Sequence, residues 1–398
     1  MRFWVKNCTG CSACSSVCPK QAIVMKPDKE GFYKPNLDKD KCVNCGLCRK
    51  VCPVYEDHSE KLLHQPSLSA FAVKSRSKEL QLLCTSGGFF TTLAEAWLVE
   101  GGIVYGAAYD ENFAVRHIRI GSIGEVRRLS GSKYVQSMIG NSFSLAKEDL
   151  IAGRKVLFSG TACQIAGIRS FLGKEYDNLL CIDLICHGVP SPQIWNWYVG
   201  KLQQQQGRAV CVTHRGKCEG GWSWQKQFFE MRLENGQVFQ ENIWENVYMR
   251  GFLKDFYLNR SCYKCQFKNA GIRRVSDLTI ADYWGCENEE KEFFDPNGVN
   301  LVIVNSSRGQ QILKQSQPLF HMKETALKAA LRYNMAAVRS YRKPYARAYF
   351  YKRIHAASSL EAFGALISKC ERVYDIETRI HHDLSRIRAK CRRMVRGK

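Results

Sequence analysis

No apolar run in this sequence approaches the ~18 residues needed to span a bilayer, which excludes a transmembrane helix. Solenoid-type repeats and low-complexity tracts are also missing, which excludes a repeat scaffold. Little chain precedes the first ring of ligand-type residues: Cys8 leaves no room for a secretion signal, so a cytoplasmic location is expected. Acidic residues are scarce. Against 59 Lys and Arg stand 37 Asp and Glu, a formal net charge of +22. Half of that excess lies in residues 339–398, where sixteen Lys and Arg face five Asp and Glu. A basic surface attracts an acidic protein, an anionic lipid face or nucleic acid. No nucleic-acid recognition motif accompanies the charge, so nucleic acid is not expected as a partner.

Cysteine, in contrast, is abundant, at 19 of 398 residues. In a chain without an export signal the cytosol keeps thiols reduced, and metal ligation explains the number better than disulfides do. Cys8, Cys11, Cys14 and Cys18 run directly into Pro19, and Cys42, Cys45, Cys48 and Cys52 into Pro53. Both follow C-x-x-C-x-x-C-x-x-x-C-P, the bacterial ferredoxin pattern for two 4Fe-4S clusters. Three thiolates at spacing three wrap one face of a cubane, and the fourth cannot reach the same cluster. The spacing therefore assigns Cys8, Cys11, Cys14 and Cys52 to one cluster and Cys42, Cys45, Cys48 and Cys18 to the other. Zinc favours two C-x-x-C pairs over a triplet followed by C-P.

Behind this module, 56–67 reads as a polar linker, and from residue 68 the texture changes to alternating strands and helices. Helices are expected over 88–100 and 163–172 and from about 192. Strands are expected over 103–109, 155–159, 179–185 and 301–305. Asn235-Gly236 between 228–233 and 237–241 is a strong hairpin signal. Strand–helix alternation argues for an α/β core. Cys163 and Cys186 each lie just past a strand, where open α/β sheets bind their ligands. With the C-x-x-C pair Cys262 and Cys265 they make four thiolates, enough for one more cubane, though zinc or four unrelated buried thiols satisfy the spacing as well. Cys84, Cys181, Cys211, Cys218, Cys286, Cys370 and Cys391 read as ordinary buried or surface thiols. Thr85-Ser86-Gly87-Gly88 opens a helix and suits a phosphate at a helix N-terminus, or a plain N-cap. A flavin would reconcile single-electron clusters with acceptors that take electrons in pairs.

The blocks TSGGFFTTLAEAWL, GSKYVQS, GTACQIAGI, DLICHGVPSP, CYKC and SDLTIADYWG occur in this order between residues 68 and 305. Together the chain resembles the coenzyme F-420 hydrogenase/dehydrogenase beta-subunit family, with the ferredoxin module in front. The resemblance implies FAD and a nearby cluster on Cys163, Cys186, Cys262 and Cys265, hence three 4Fe-4S clusters in all. It places flavin contacts on Ser86, Gly87, Gly88, Gly131, Ser132, Lys133, Tyr134 and Thr161. His187 and Asp282 fall on the substrate side, where a structural loop histidine and a brace for the cluster loop are the simpler roles. Ala162 stands where proline is usual in this family, which loosens that loop, and Ala281 where glycine is common.

The sequence thus predicts an α+β ferredoxin-like module over 1–58, an α/β flavin-binding core over 68–320 and a basic helical C-terminal tail over 321–398. The expected function is an FAD-dependent iron–sulfur oxidoreductase. Electrons pass from the front clusters through a core cluster to the flavin and leave as hydride to an organic or lipid-linked acceptor, or the reverse. The alternative is a non-catalytic relay subunit docked on a separate redox enzyme. A ferredoxin or another electron carrier is the expected protein partner, with peripheral contact to an anionic membrane through the tail.

Overall fold

The computed structural model describes residues 5, 7–56, 58–64, 69–217, 226–268 and 273–396, without the side chains at 59 and 385–396. The front module is built on an antiparallel hairpin, β1 (Ile23–Pro27) and β2 (Tyr33–Leu37), flanked by two one-turn helices, Ala13–Ser16 and Leu47–Lys50. Each helix starts inside a cysteine repeat, so the repeat is a tight loop closed by a helical turn. The 56–67 segment is not wholly extended: a short helix, His58–Leu62, forms there, and the His64 amide donates to the Arg274 carbonyl at 2.8 Å.

The core carries β3 (Ser69–Ser75), β4 (Ile103–Tyr109), β5 (Val115–Ile120), β6 (Val156–Thr161) and β7 (Leu179–Leu184). An insertion supplies β8 (Ala209–Lys217), β9 (Gln227–Leu233) and β10 (Val238–Asn242), which form their own antiparallel sheet. The core then resumes with β11 (Leu278–Asp282), β12 (Asn300–Val304) and β13 (Phe320–Thr325). Its eight strands lie in the order β13-β3-β12-β11-β7-β6-β4-β5. The centre, β11-β7-β6-β4, is parallel, and the flanking pairs are antiparallel. Val156, Leu157 and Phe158 of β6 and Leu179, Leu180 and Ile182 of β7 are all buried, as expected for strands covered on both faces. Helix Phe89–Val99 covers one face, and helix Ala162–Leu172, the crossover from β6 to β7, covers the other. The Asn235-Gly236 hairpin forms as β9–β10, with Gly236 at a φ of +82° that its missing Cβ permits.

The segment read as a separate tail divides differently in space. Residues 320–325 are an edge strand of the main sheet, paired with β3. Ala346, Phe350, Phe363, Leu366, Ile367 and Cys370 are buried against the insertion sheet and helix Pro192–Gln206. The apolar positions at helical spacing, Leu360, Phe363, Leu366, Ile367 and Cys370, therefore face the core. Helix Leu360–Arg396 leaves that core after its first turns, and Ile376, Ile380 and Leu384 are exposed. The basic side chains beyond residue 384 lie outside the described residues. Among the described residues no helix is long and apolar enough to cross a membrane.

Candidate flavin and iron–sulfur site

The C-terminal ends of β6, β7 and β11 place Thr161, Leu184 and Asp282 along one edge of the sheet. A cavity of about 380 Å³ opens there, within the range of small-molecule sites. Seven of the eight residues expected to touch a flavin line it: Ser86, Gly88, Gly131, Ser132, Lys133, Tyr134 and Thr161. Gly87 does not. It is pressed onto the sheet instead, where a Cβ would come within 2.6 Å of the Val73 carbonyl and 2.7 Å of the Asn300 amide. Its role is to let the loop lie flat on β3 and β12. Gly88, at φ +85°, turns the chain into helix Phe89–Val99. The Ser132 amide donates to Thr85 Oγ1 at 2.9 Å, so the two loops form one cradle.

Two ammonium groups stand at this cradle. Lys133 Nζ donates to the Ser130 and Gly131 carbonyls at 2.8 and 3.3 Å, and Lys217 Nζ to the Ser86 carbonyl at 2.7 Å. Burial pulls both down to about 8, and among the described residues neither has a carboxylate within ion-pair distance. Half-buried cations whose hydrogen bonds go to carbonyls suit an anion such as a pyrophosphate.

The four core thiols converge. Cys163, Cys186, Cys262 and Cys265 line one small cavity beneath the larger one, and Cys163 and Cys186 line both. Burial pushes Cys262 up to about 12, with Cys186 and Cys265 adding to it, and pushes Cys186 up to about 11. Thiols so close in a dry pocket ionise together only when a multivalent cation takes the charge. In the front module Cys8, Cys11, Cys14 and Cys52 line one cavity, which brings Cys52 across from the second repeat. Cys42 and Cys45 act on Cys48 as close neighbours, after burial as the larger influence. Cys18 lies a turn beyond Cys14, its sulfur accepting the Ala22 amide at 3.3 Å. Among the described residues no three His, Cys, Asp or Glu side chains are set to hold a single metal ion.

Both substrate-side candidates line the cavity and both are engaged. His187 Nε2 is 2.6 Å from Asp255 Oδ1, and its ring stacks on Tyr341 at 4.2 Å. Asp282 accepts from Arg215 at 2.8 Å, and Arg215 also donates to the Tyr134 hydroxyl at 2.8 Å. Arg215, Lys217, Asp255 and Tyr341 were not singled out from sequence. They come from the insertion sheet, a loop and the last third of the chain, and no local motif marks them. Of the remaining cysteines, Cys84 lines the cavity and donates to Thr91 Oγ1 at 2.9 Å, while Cys181, Cys286 and Cys370 are buried and Cys211 is exposed. Cys218 and the Cys391 side chain lie outside the described residues.

Residues 153–327 match the family described as the C terminus of the beta subunit of Coenzyme F420 hydrogenase/dehydrogenase, and residues 7–55 match the 4Fe-4S dicluster domain. The chain is thus similar to that beta-subunit family over these residues, behind a match to the dicluster ferredoxin domain. The F subunit of the F(420)H(2) dehydrogenase of Methanosarcina mazei is 25% identical over 190 residues, 45% of this chain and 53% of that protein. The front module is 39% identical over 44 residues to the ferredoxin-type protein NapF of Escherichia coli, which is 11% of this chain and 27% of NapF. The chain thus spans about half the length of the first relative and about a quarter of the second. The F420-reducing NiFe hydrogenase complex from Methanosarcina barkeri aligns at a TM-score of 0.45 and 18% identity, over 71% of this chain and 98% of that chain. The beta-subunit match takes in all four core thiols and Asp282, while the glycine-rich loop at 85–88, the 131–134 loop and everything beyond 327 lie outside it.

Proposed function

We propose that this iron–sulfur electron-transfer protein is an FAD-dependent oxidoreductase with three 4Fe-4S clusters. The observation that carries the reading is contiguity. Thr9 borders the front quartet, the core quartet and the large cavity. Gly167, on the helix that presents Cys163, sits against Cys11, and a Cβ there would lie 3.2 Å from its sulfur. Cys45 in the second repeat is exposed, whereas Cys11 and Cys14 are buried toward the core. The thiols thus set out a route from the surface, through Cys8, Cys11, Cys14 and Cys52, to Cys163 and Cys186 at the cavity. A bound flavin would turn single electrons into a pair and exchange it as hydride with an organic acceptor. The chain's own groups hold the ends of that route. Ser86, Gly88, Gly131, Ser132 and Thr161 shape the cradle, and Lys133 with Lys217 supplies positive charge for the phosphates. Asp282 fixes Arg215, and Asp255 orients His187 toward the acceptor space.

A pure relay protein would need the thiol route but not a 380 Å³ cavity at its end, which is why the enzymatic reading is preferred. Exposed Ile376, Ile380 and Leu384, at helical spacing beside Arg372 and Arg379, support salt-sensitive docking of the last helix on an acidic redox partner or an anionic membrane face. The test of the main reading is anaerobic reconstitution with counted cofactors. About twelve irons and one FAD per chain are expected. Cys186→Ser should lose about four irons and stop flavin reduction from the front module. Full activity with about eight irons, or with zinc at the core site, would overturn it.

A further inference from the structure

We infer that Tyr333, Met335 and Tyr341, which lie beyond the recognised family domain, form the wall that selects the acceptor, and that the acceptor presents a flat, largely apolar ring to it. The inference deepens the proposed function and rests on it. All three residues line the cavity together with Cys186 and His187, although the family match ends at residue 327. The segment is pinned in three places. The Tyr333 ring lies on Gly285, where a Cβ would come within 2.2 Å of the ring and φ is +82°. The Cys265 amide donates to Ser340 Oγ at 3.0 Å, tying the segment to the core thiols. The Tyr341 ring stacks on His187, with 27° between the planes.

The chemistry of the wall defines what it would hold. Leu184, Tyr333 and Met335 remain 40%, 41% and 38% exposed although they line a cavity, so apolar surface is left uncovered there. The rings continue inward: His187 meets Phe252 edge-on at 5.0 Å, and Phe252 stacks on Tyr134 at 4.6 Å. Neighbouring charges are engaged, with Lys268 donating to the His187 carbonyl at 3.0 Å and Arg215 paired with Asp282. Uncovered apolar and aromatic surface flanked by engaged charges favours a flat ring over a sugar or a polyanion. Reduced flavin would supply a hydride to such a ring, with a solvent proton completing the two-electron reduction.

The probe is menadione, a flat apolar quinone that accepts two electrons and two protons. Holoprotein is prepared as wild type, Tyr333→Ala, Met335→Ala, the double variant and Tyr333→Phe, with iron and FAD counted in each. Equilibrium dialysis gives the menadione Kd. Anaerobic mixing of photoreduced protein with menadione or hexacyanoferrate(III) gives reoxidation rates. The expected result is a Kd raised roughly tenfold or more in the double variant and close to wild type in Tyr333→Phe, with hexacyanoferrate rates changed less than about twofold. An unchanged menadione Kd in the double variant, non-saturable binding in wild type, or equal slowing with both oxidants would overturn the wall. Absence of FAD from wild-type protein would instead sink the flavin reading, while the dialysis Kd would still decide the wall.

Discussion

Cys18 stands four residues from Cys14, yet its proposed cluster is the one held by Cys42, Cys45 and Cys48. The structure brings Cys52 to Cys8, Cys11 and Cys14, which is consistent with the proposal that Cys18 serves the other set. Cys18→Ser is expected to damage the cluster of the second repeat and spare the first, as read by electron paramagnetic resonance of the reduced protein. Loss confined to the first cluster would contradict the crossed assignment. A second residue-scale effect involves Glu30. Burial pushes its carboxyl up, but hydrogen bonds from Arg347 (2.9 and 2.6 Å) and Arg260 outweigh it and hold the group at about 2. Arg347 is 2% exposed. Glu30→Gln leaves that guanidinium its Leu258 carbonyl but no counter-charge, and is expected to cost about 3 kcal/mol in urea unfolding. Because the folded carboxyl lies below its ordinary 4.5, the stabilisation is complete above about 4.5 and lost as pH falls through about 2. The variant should lack that part of the acid-induced loss.

Among the elements, the cradle formed by the 85–88 and 131–134 loops shows why a glycine motif alone is weak. Gly87 serves packing on the sheet, and only Gly88 and Gly131 line the space. The charge at the cradle comes partly from another element, since Lys217 ends β8 of the insertion sheet and bonds the Ser86 carbonyl. With both lysines pulled down to about 8 in the free protein, their charge is complete below that pH and lost above it. A bound phosphate would favour the charged form and move the loss upward. FAD retention is therefore expected to be level below about pH 8 and to fall at higher pH, measured as flavin released on gel filtration. Lys217→Met should weaken retention at pH 7 and flatten the decline, while a pH-independent wild type would count against lysine–phosphate contact.

For the whole molecule, the last third of the chain closes the structure instead of trailing from it. Phe350, Phe363 and Ile367 are completely buried, and Arg347 reaches back to Glu30 in the ferredoxin module. Each such apolar side chain contributes about 1.5–3 kcal/mol by burial. Truncation after Tyr341 is thus expected to cost most of the stability of the domain, with loss of iron and flavin, whereas truncation after Leu384 should keep both. Thermal melting with cofactor counts separates the two outcomes. A stable, cofactor-loaded chain ending at Tyr341 would show that the tail is dispensable after all.

The cysteine repeats, the parallel strands at 103–109, 155–159 and 179–185, and the Asn235-Gly236 hairpin were legible from sequence. Each depends on local geometry: loop length around a cubane, burial on both faces of a strand, or a left-handed turn. The convergence of Cys163 and Cys186 with Cys262 and Cys265 was legible in part, because positions past parallel strands share one edge of a sheet. What sequence left undetermined lies between distant segments. The Arg215–Asp282 and His187–Asp255 pairs join positions 67 and 68 residues apart, and Arg347–Glu30 spans 317. Nor did sequence decide whether the helical spacing of Phe363 and Ile367 served docking or packing. An apolar face is satisfied by any matching surface, and only the tertiary structure decided that the surface was this protein's own core.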